Sequence, residues 1–213
     1  MTVESLTVFI VDDDERIREA LEELLASHGM RAITFASARD YVNADKGNVP
    51  ACLILDVELP DINGLELQEQ LAKDDHPPIV FITGHGDIPS SVRAIRHGAV
   101  DFLTKPISDA ALMAAIHAAL AQDRKNRAER AELEEWRQRY LELTPREREV
   151  LPLVVSGLLN KQAAAELGIS EVTLQLHRRS VMQKMAAASL ADLVRIAERL
   201  AIPITHSRRA GRK

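Results

Sequence analysis

Through the first half of the chain, short apolar runs alternate with stretches of helical period. The runs fall at about residues 6–11, 31–35, 51–55, 78–82 and 100–103. Between the first two, Ile17, Leu21, Leu24, Leu25 and His28 recur at i, i+4, i+7, i+8 and i+11, which is one face of a helix. Gly29 ends that helix, and Asn63-Gly64 turns the chain before the third. Asp87-Ile-Pro89 opens the fourth, with Pro in its first turn, and Ser108 caps the fifth. Strands that alternate with helices predict a parallel sheet covered on both faces. Residues 6–121 therefore read as five βα units in a doubly wound five-stranded α/β domain.

The pattern changes after residue 121. Residues 122–143 contain no Gly or Pro and are rich in helix formers, so one helix is predicted from about Ser108 to Leu143. Within it, Leu133, Trp136, Tyr140 and Leu143 are spaced 3, 4, 3, a short heptad seam. That seam either pairs with a second copy or docks on the helix's own domains. Thr144-Pro145-Arg-Glu147 then starts a new segment: Thr144 as N-cap, Pro145 as first helical residue, Glu147 closing a capping box. Helices are predicted near 145–156, 160–167, 171–185 and 189–201, with Gly157 and Gly168 at helix ends and Ser170 as a cap. The organisation is thus an α/β domain over 1–121, a helical linker over 122–143, a small all-α domain over 144–205 and a basic tail over 206–213.

Polar residues at the strand ends set the candidate chemistry. Asp12, Asp13, Asp56, Thr83 and Lys105 each follow an apolar run. In an open parallel sheet the carboxyl ends of the strands share one rim, and ligands bind there. Three carboxylates gathered at one edge repel one another unless a cation joins them. A hard divalent ion with oxygen ligands, Mg²⁺ above all, meets that need. The Lys and the Thr suit a phosphoryl group.

Charge distribution sharpens the division. Residues 1–121 hold 9 Lys+Arg against 20 Asp+Glu, a net of −11, and residues 122–213 hold 18 against 12, a net of +6. An acidic half joined to a basic half points to an anionic partner for the second domain. A single cysteine, Cys52, lies inside an apolar strand, which excludes an internal disulfide and agrees with a reducing cytosol. The start has no basic segment before a long apolar stretch, so no signal peptide is expected, and no run reaches the ~18 apolar residues of a membrane helix.

These residues resemble a two-component response regulator of the NarL/FixJ family, with a LuxR-type helix-turn-helix. The receiver half carries VDDD (11–14), DVELPDINGLEL (56–67), TGHGD (83–87) and GAVDFLTKP (98–106). The effector half carries LTPREREVLPLVVSGLLNKQAA (143–164) and ISEVTLQLHRRSVMQKM (169–185). TGHGD and VDFLTKP resemble the FixJ branch in particular. The resemblance implies a flavodoxin-like receiver in which Asp56 accepts a phosphoryl group from a sensor histidine kinase. It implies Mg²⁺ held by Asp13, Asp56 and the backbone carbonyl of Glu58, with Asp12 holding a coordinated water. Lys105 and Thr83 would contact the phosphoryl group, the Lys105-Pro106 bond would be cis, and Phe102 would be the aromatic switch that follows Thr83, unless it is only a core residue. The chain would not be an enzyme beyond its own phosphorylation and dephosphorylation. Phosphorylation would favour a homodimer that binds double-stranded DNA, with no membrane partner. Gln175, Leu176 and Arg179 would face the major groove, and Lys161, Arg178 and Lys184 would hold phosphates or form an ordinary solvated face.

There are departures from the family pattern. Asp61 replaces the usual Gly, which would add an anion near the site. Gln175 stands where Lys is common, and Gln pairs naturally with adenine. Ala163 replaces a bulkier apolar residue. Asp14 reads as either an outlying charge or a first-turn helix residue. The apolar face Leu190, Leu193, Val194, Ala197 and Leu200 is either core or dimer contact. A phosphatase of haloacid-dehalogenase-like type is the competing class, with Asp56 as nucleophile, but such enzymes carry Asp-x-Asp, whereas here the longer Glu58 holds the second position and there is no cap domain. A receiver that is never phosphorylated, on a phosphate-independent adaptor or DNA-binding protein, is a third.

Overall fold

The computed structural model describes residues 6–72, 75–84 and 86–203. Among them the strands are β1 Thr7–Val11, β2 Arg31–Phe35, β3 Ala51–Asp56, β4 Ile79–Thr83 and β5 Asp101–Thr104. They form one sheet in the order β2-β1-β3-β4-β5, parallel at every pairing. The helices that follow them are α1 Glu15–Ser27, α2 Ala38–Asn43, α3 Gly64–Leu71, α4 Ile88–Arg96 and α5 Asp109–Leu141.

Successive side chains of a strand point to opposite faces, and here both faces are buried. Val8, Ile10, Cys52, Ile54, Val80 and Ile82 pack with Leu21 and Leu25 of α1 and with Leu112, Ile116 and Ala119 of α5. Phe9, Val11, Leu53, Leu55 and Phe81 pack on the other side with Tyr41 of α2, Leu65 and Leu67 of α3 and Ala94 of α4. So α1 and α5 cover one face and α2 to α4 the other. The helix starts follow the sequence signals. Asn63 caps α3, Asp87 caps α4, and the Ser108 hydroxyl accepts from the Ala111 N–H at the head of α5. The sequence pattern marked no start for α2, which is capped by Ser37.

The described residues form two compact units, one within Met1–Arg127 and one within Ala128–Lys213. In α5 the stretch up to Arg127 is fixed to the first unit. The buried Asp123 carboxylate accepts from the Ala51 N–H at 3.0 Å and from Arg127 Nε at 2.6 Å, and Arg127 also bonds Asn48.

The second unit holds α6 Pro145–Val155, α7 Asn160–Leu167, α8 Glu171–Lys184 and α9 Leu190–Arg199. Of the two readings of the heptad seam, the structure has the docked one. Trp136 and Leu143 are buried with Val150, Leu151, Leu174, Val181 and Leu193, and Leu133 and Tyr140 pack against this cluster. On α9, Leu193, Ile196 and Ala197 are core while Leu190 stays 38% exposed. Thr144 and Glu147 close the capping box, as the spacing predicts. The tail over 206–213 lies outside the described residues.

Candidate functional site

At the carboxyl rim of the sheet, β1 and β3 are direct neighbours in the register Val11↔Leu55, so Asp12 is brought beside Asp56. Oxygens of Asp12, Asp13 and Asp56 lie within 4.8 Å of one another. Asp12 is fully buried, Asp56 nearly so, and Asp13 is exposed. Lys105, just past β5, places Nζ 2.7 Å from Asp12 Oδ2 and 2.7 Å from Asp56 Oδ2. The Lys105-Pro106 bond is cis. A shallow cavity of about 430 Å³ is lined by Asp12, Asp13, Asp56, Glu58, Gly84 and Lys105, together with Asp14, Ile17, Leu59 and Pro60. Thr83 ends β4, is fully buried and is not part of this lining. Its carbonyl accepts from the Lys105 N–H at 2.8 Å.

One ammonium serving two buried carboxylates fixes the electrostatics. Burial, reinforced by the repulsion of Asp56, pushes the Asp12 carboxyl above the usual range against the pull of Lys105 and the Asp14 N–H. For Lys105, burial favours the neutral amine, but the hydrogen bonds it donates to Asp12 and Asp56 outweigh it and raise its pKa, so it remains an ammonium. The backbone is arranged to hold the pair. Asp12 Oδ1 accepts from the Asp14 N–H and Asp56 Oδ1 from the Glu58 N–H. Gly64 passes so close that a Cβ there would sit 2.2 Å from the Asp56 carbonyl oxygen.

Three surrounding residues are resolved further. Asp14 is the N-cap of α1, with its carboxylate on the N–H and guanidinium of Arg16, and so belongs to the helix start. Asp61 lies on the loop after β3, and its carboxylate sits at the first turn of α2, accepting from the Ala38 N–H at 3.3 Å and the Arg39 N–H at 2.9 Å. Phe102 is half-buried against the α2–α4 face, with its ring centroid 6.0 Å from that of Phe81.

On the second unit, Gln175, Leu176 and Arg179 are exposed on α8, with Leu176 at 65%, and Lys161 is exposed on α7. Gln175 and Arg179 are i, i+4 and share a face. Arg178 is half-buried and donates to Asn160 Oδ1 at 3.0 Å. Lys184 has partners within its own unit. Its ammonium lies 2.7 Å from Glu147 Oε2 and also bonds the Glu142 carbonyl. It neutralises a buried carboxylate, so this ammonium is already engaged within the unit. Ala163 is fully buried in the core beside Ala164.

Residues 8–117 match the response regulator receiver domain family, and residues 141–197 match the bacterial regulatory proteins of the luxR family. Nodulation protein W of Bradyrhizobium diazoefficiens is 47% identical over 201 residues, covering 94% of this chain and 88% of that one. Transcriptional regulatory protein FixJ of Azorhizobium caulinodans is 43% identical over 195 residues, covering 91% and 92%. The solved structure of the response regulator StyR is 46% identical, covers 91% of this chain and 98% of its own, and superposes with a TM-score of 0.76. A receiver joined to a helix-turn-helix output defines a transcriptional response regulator of a two-component system. Within that class, the chain belongs to the NarL/FixJ-type response regulators. No described helix is long and apolar enough to cross a membrane.

Proposed function

We propose that the protein accepts a phosphoryl group on Asp56 from a phosphohistidine of a sensor kinase and, in that form, dimerises and binds double-stranded DNA. The observation that carries this reading is the Lys105 ammonium, 2.7 Å from a carboxylate oxygen of both Asp12 and Asp56 beside an open cavity. A carboxylate oxygen of Asp56 attacks phosphorus, the phosphorus–nitrogen bond breaks, and its electron pair leaves with the imidazole. Lys105 then turns its charge to the phosphoryl oxygens and Thr83 donates its hydroxyl to one of them, with Phe102 following Thr83. The donor set fits a hard cation, because all its atoms are oxygens. Asp12, Asp13, Asp56 and the Glu58 carbonyl would hold Mg²⁺, which when bound offsets the charge on carboxylate and phosphoryl oxygens. The protein does this chemistry on itself and turns over no external substrate. A cytoplasmic location goes with the reading.

On the DNA side, exposed Gln175, Leu176 and Arg179 would meet base edges in the major groove. Lys161 and Arg178 would meet phosphates.

The test is incubation with a small phosphodonor and Mg²⁺, followed by intact mass. One phosphoryl group should appear on the wild type and none on Asp56→Asn, whose amide keeps the shape without the nucleophile. Chelation should abolish incorporation too. Equal incorporation in Asp56→Asn would remove Asp56 from the role.

A further inference from the structure

Seven residues, 57–63, connect the end of β3 to the start of α3, and they carry Glu58 and the cavity-lining Leu59 and Pro60. The two ends of this loop are held locally. The Glu58 N–H donates to Asp56 Oδ1 at 3.1 Å, and the Gly64 N–H donates to the Val57 carbonyl at 2.9 Å. Asn63 caps α3 through the Leu65 N–H. Its middle is held from a distance. Asp61 reaches across 22 and 23 positions of sequence to take the Arg39 and Ala38 N–H groups at the head of α2. Those donors have no partner inside the helix. Ser37, the local cap, takes only the Asp40 N–H at 3.2 Å. The helix start is therefore divided between one near side chain and one far one. Burial pushes the Asp61 carboxyl up, but the N–H bonds, those of Arg39 and Ala38 foremost, outweigh it and hold the group below the usual carboxylate range, so it is an anion at neutral pH.

We propose that Asp61 is a positioning residue for the cation site: its bond to α2 fixes the loop so that Glu58 is already in place when a divalent ion arrives. The proposal rests on the Mg²⁺ reading above. A loop with only its ends tied must lose conformational freedom when its middle carbonyls are called on, and that loss comes off the binding free energy. A carboxylate that ties the middle removes the loss beforehand. Residues that orient a ligand from behind typically carry ~10–100-fold in metal affinity. Asp61 holds Glu58 through three peptide units rather than directly, which puts the expectation at the low end, about tenfold.

The test uses the full-length protein and calorimetric titration with Mg²⁺ alone, without a phosphodonor. Asp61→Ala should weaken Mg²⁺ binding about tenfold, and Asp61→Asn, which keeps an acceptor oxygen, should recover most of it. Ser37→Ala is the control. It removes the other cap of α2 and weakens that helix, yet leaves the loop tied, so its Mg²⁺ affinity should equal the wild type's. Thermal unfolding without Mg²⁺ records the stability each variant loses. If Asp61→Ala binds Mg²⁺ as tightly as the wild type, or Ser37→Ala loses as much as Asp61→Ala, the positioning role is overturned. Absence of Mg²⁺ binding by the wild type would overturn the cation reading itself and the proposal with it.

Discussion

Glu147 shows how much one residue can be made to hold. It is 4% exposed and takes the Thr144 N–H, the Ser180 hydroxyl and the Lys184 ammonium. Burial pushes its pKa up, but the bonds from Lys184, Ser180 and Thr144 more than offset this, bringing it to about 2 from an ordinary 4.5. The folded-state value lies below the unfolded one, so the folded form binds fewer protons between them. Its contribution is complete above about pH 4.5 and is lost as pH falls towards 2. Urea unfolding followed through Trp136, at several pH values across that window, should show stability falling with acid in the wild type. In Glu147→Gln that part of the slope should be missing, and a slope equal to the wild type's would deny the assignment. Removing the partner strands a buried carboxylate, so Lys184→Ala should cost on the order of 3 kcal/mol of stability. The sequence carried half of this. The Thr144–Glu147 capping box is a local spacing and was legible, whereas Lys184 lies 37 positions away and reads equally well as a phosphate contact. The bond from Asp61 to α2 was not legible for the same reason, since nothing near it in sequence names α2 as its partner. Asp12, Asp13, Asp56 and Lys105 were legible as one site because a strand's end and the rim of a parallel sheet are the same place, whereas Thr83 ends β4 without lining the cavity.

At the scale of elements, the seam on α5 makes the clearest test. Leu133, Trp136, Tyr140 and Leu143 have the spacing of a coiled coil, and spacing alone does not say which surface covers it. Here the covering surface is the chain's own α6, α8 and α9, with the Arg199 guanidinium 5.8 Å from the Trp136 ring centre. Acrylamide should therefore quench this tryptophan weakly, and equally before and after phosphorylation. Quenching that falls on phosphorylation would show the seam leaving its own domain to pair. Trp136→Ala should destabilise the second unit by about 3–5 kcal/mol, read from its unfolding transition by circular dichroism. Element positions in the described residues followed the sequence closely because caps are short-range. The short α2 escaped because six residues carry too little periodicity to stand out.

For the whole molecule, the separation of charge into an acidic first part and a basic second part matches the two family assignments. It predicts two kinds of DNA-binding variant. Gln175→Ala and Arg179→Ala should each cost about 1–3 kcal/mol on the preferred site and relax the sequence motif, while Lys161→Ala should weaken all sequences alike and lower the salt slope by about 1. Binding selection on random duplexes at several salt concentrations separates these outcomes, and a motif unchanged in both Gln175→Ala and Arg179→Ala would show that this face does not read bases. The bond between Asp123 and the Ala51 N–H carries a mechanical consequence. Ala51 opens β3, the middle strand of the sheet, which is laddered to β1 on one side and β4 on the other and ends at Asp56. A strand tied on both flanks, as β1, β3 and β4 are, is held more firmly than the edge strands β2 and β5. α5 is thereby fastened at Asp123 to the central strand of the sheet. Leu112, Ile116 and Ala119 already hold residues 109–127 of the helix against the sheet face, and Asp123 adds a polar fastening near the far end of that stretch. A load on this part of the helix is therefore passed into the sheet at the Ala51 end of β3 as well as through its apolar face.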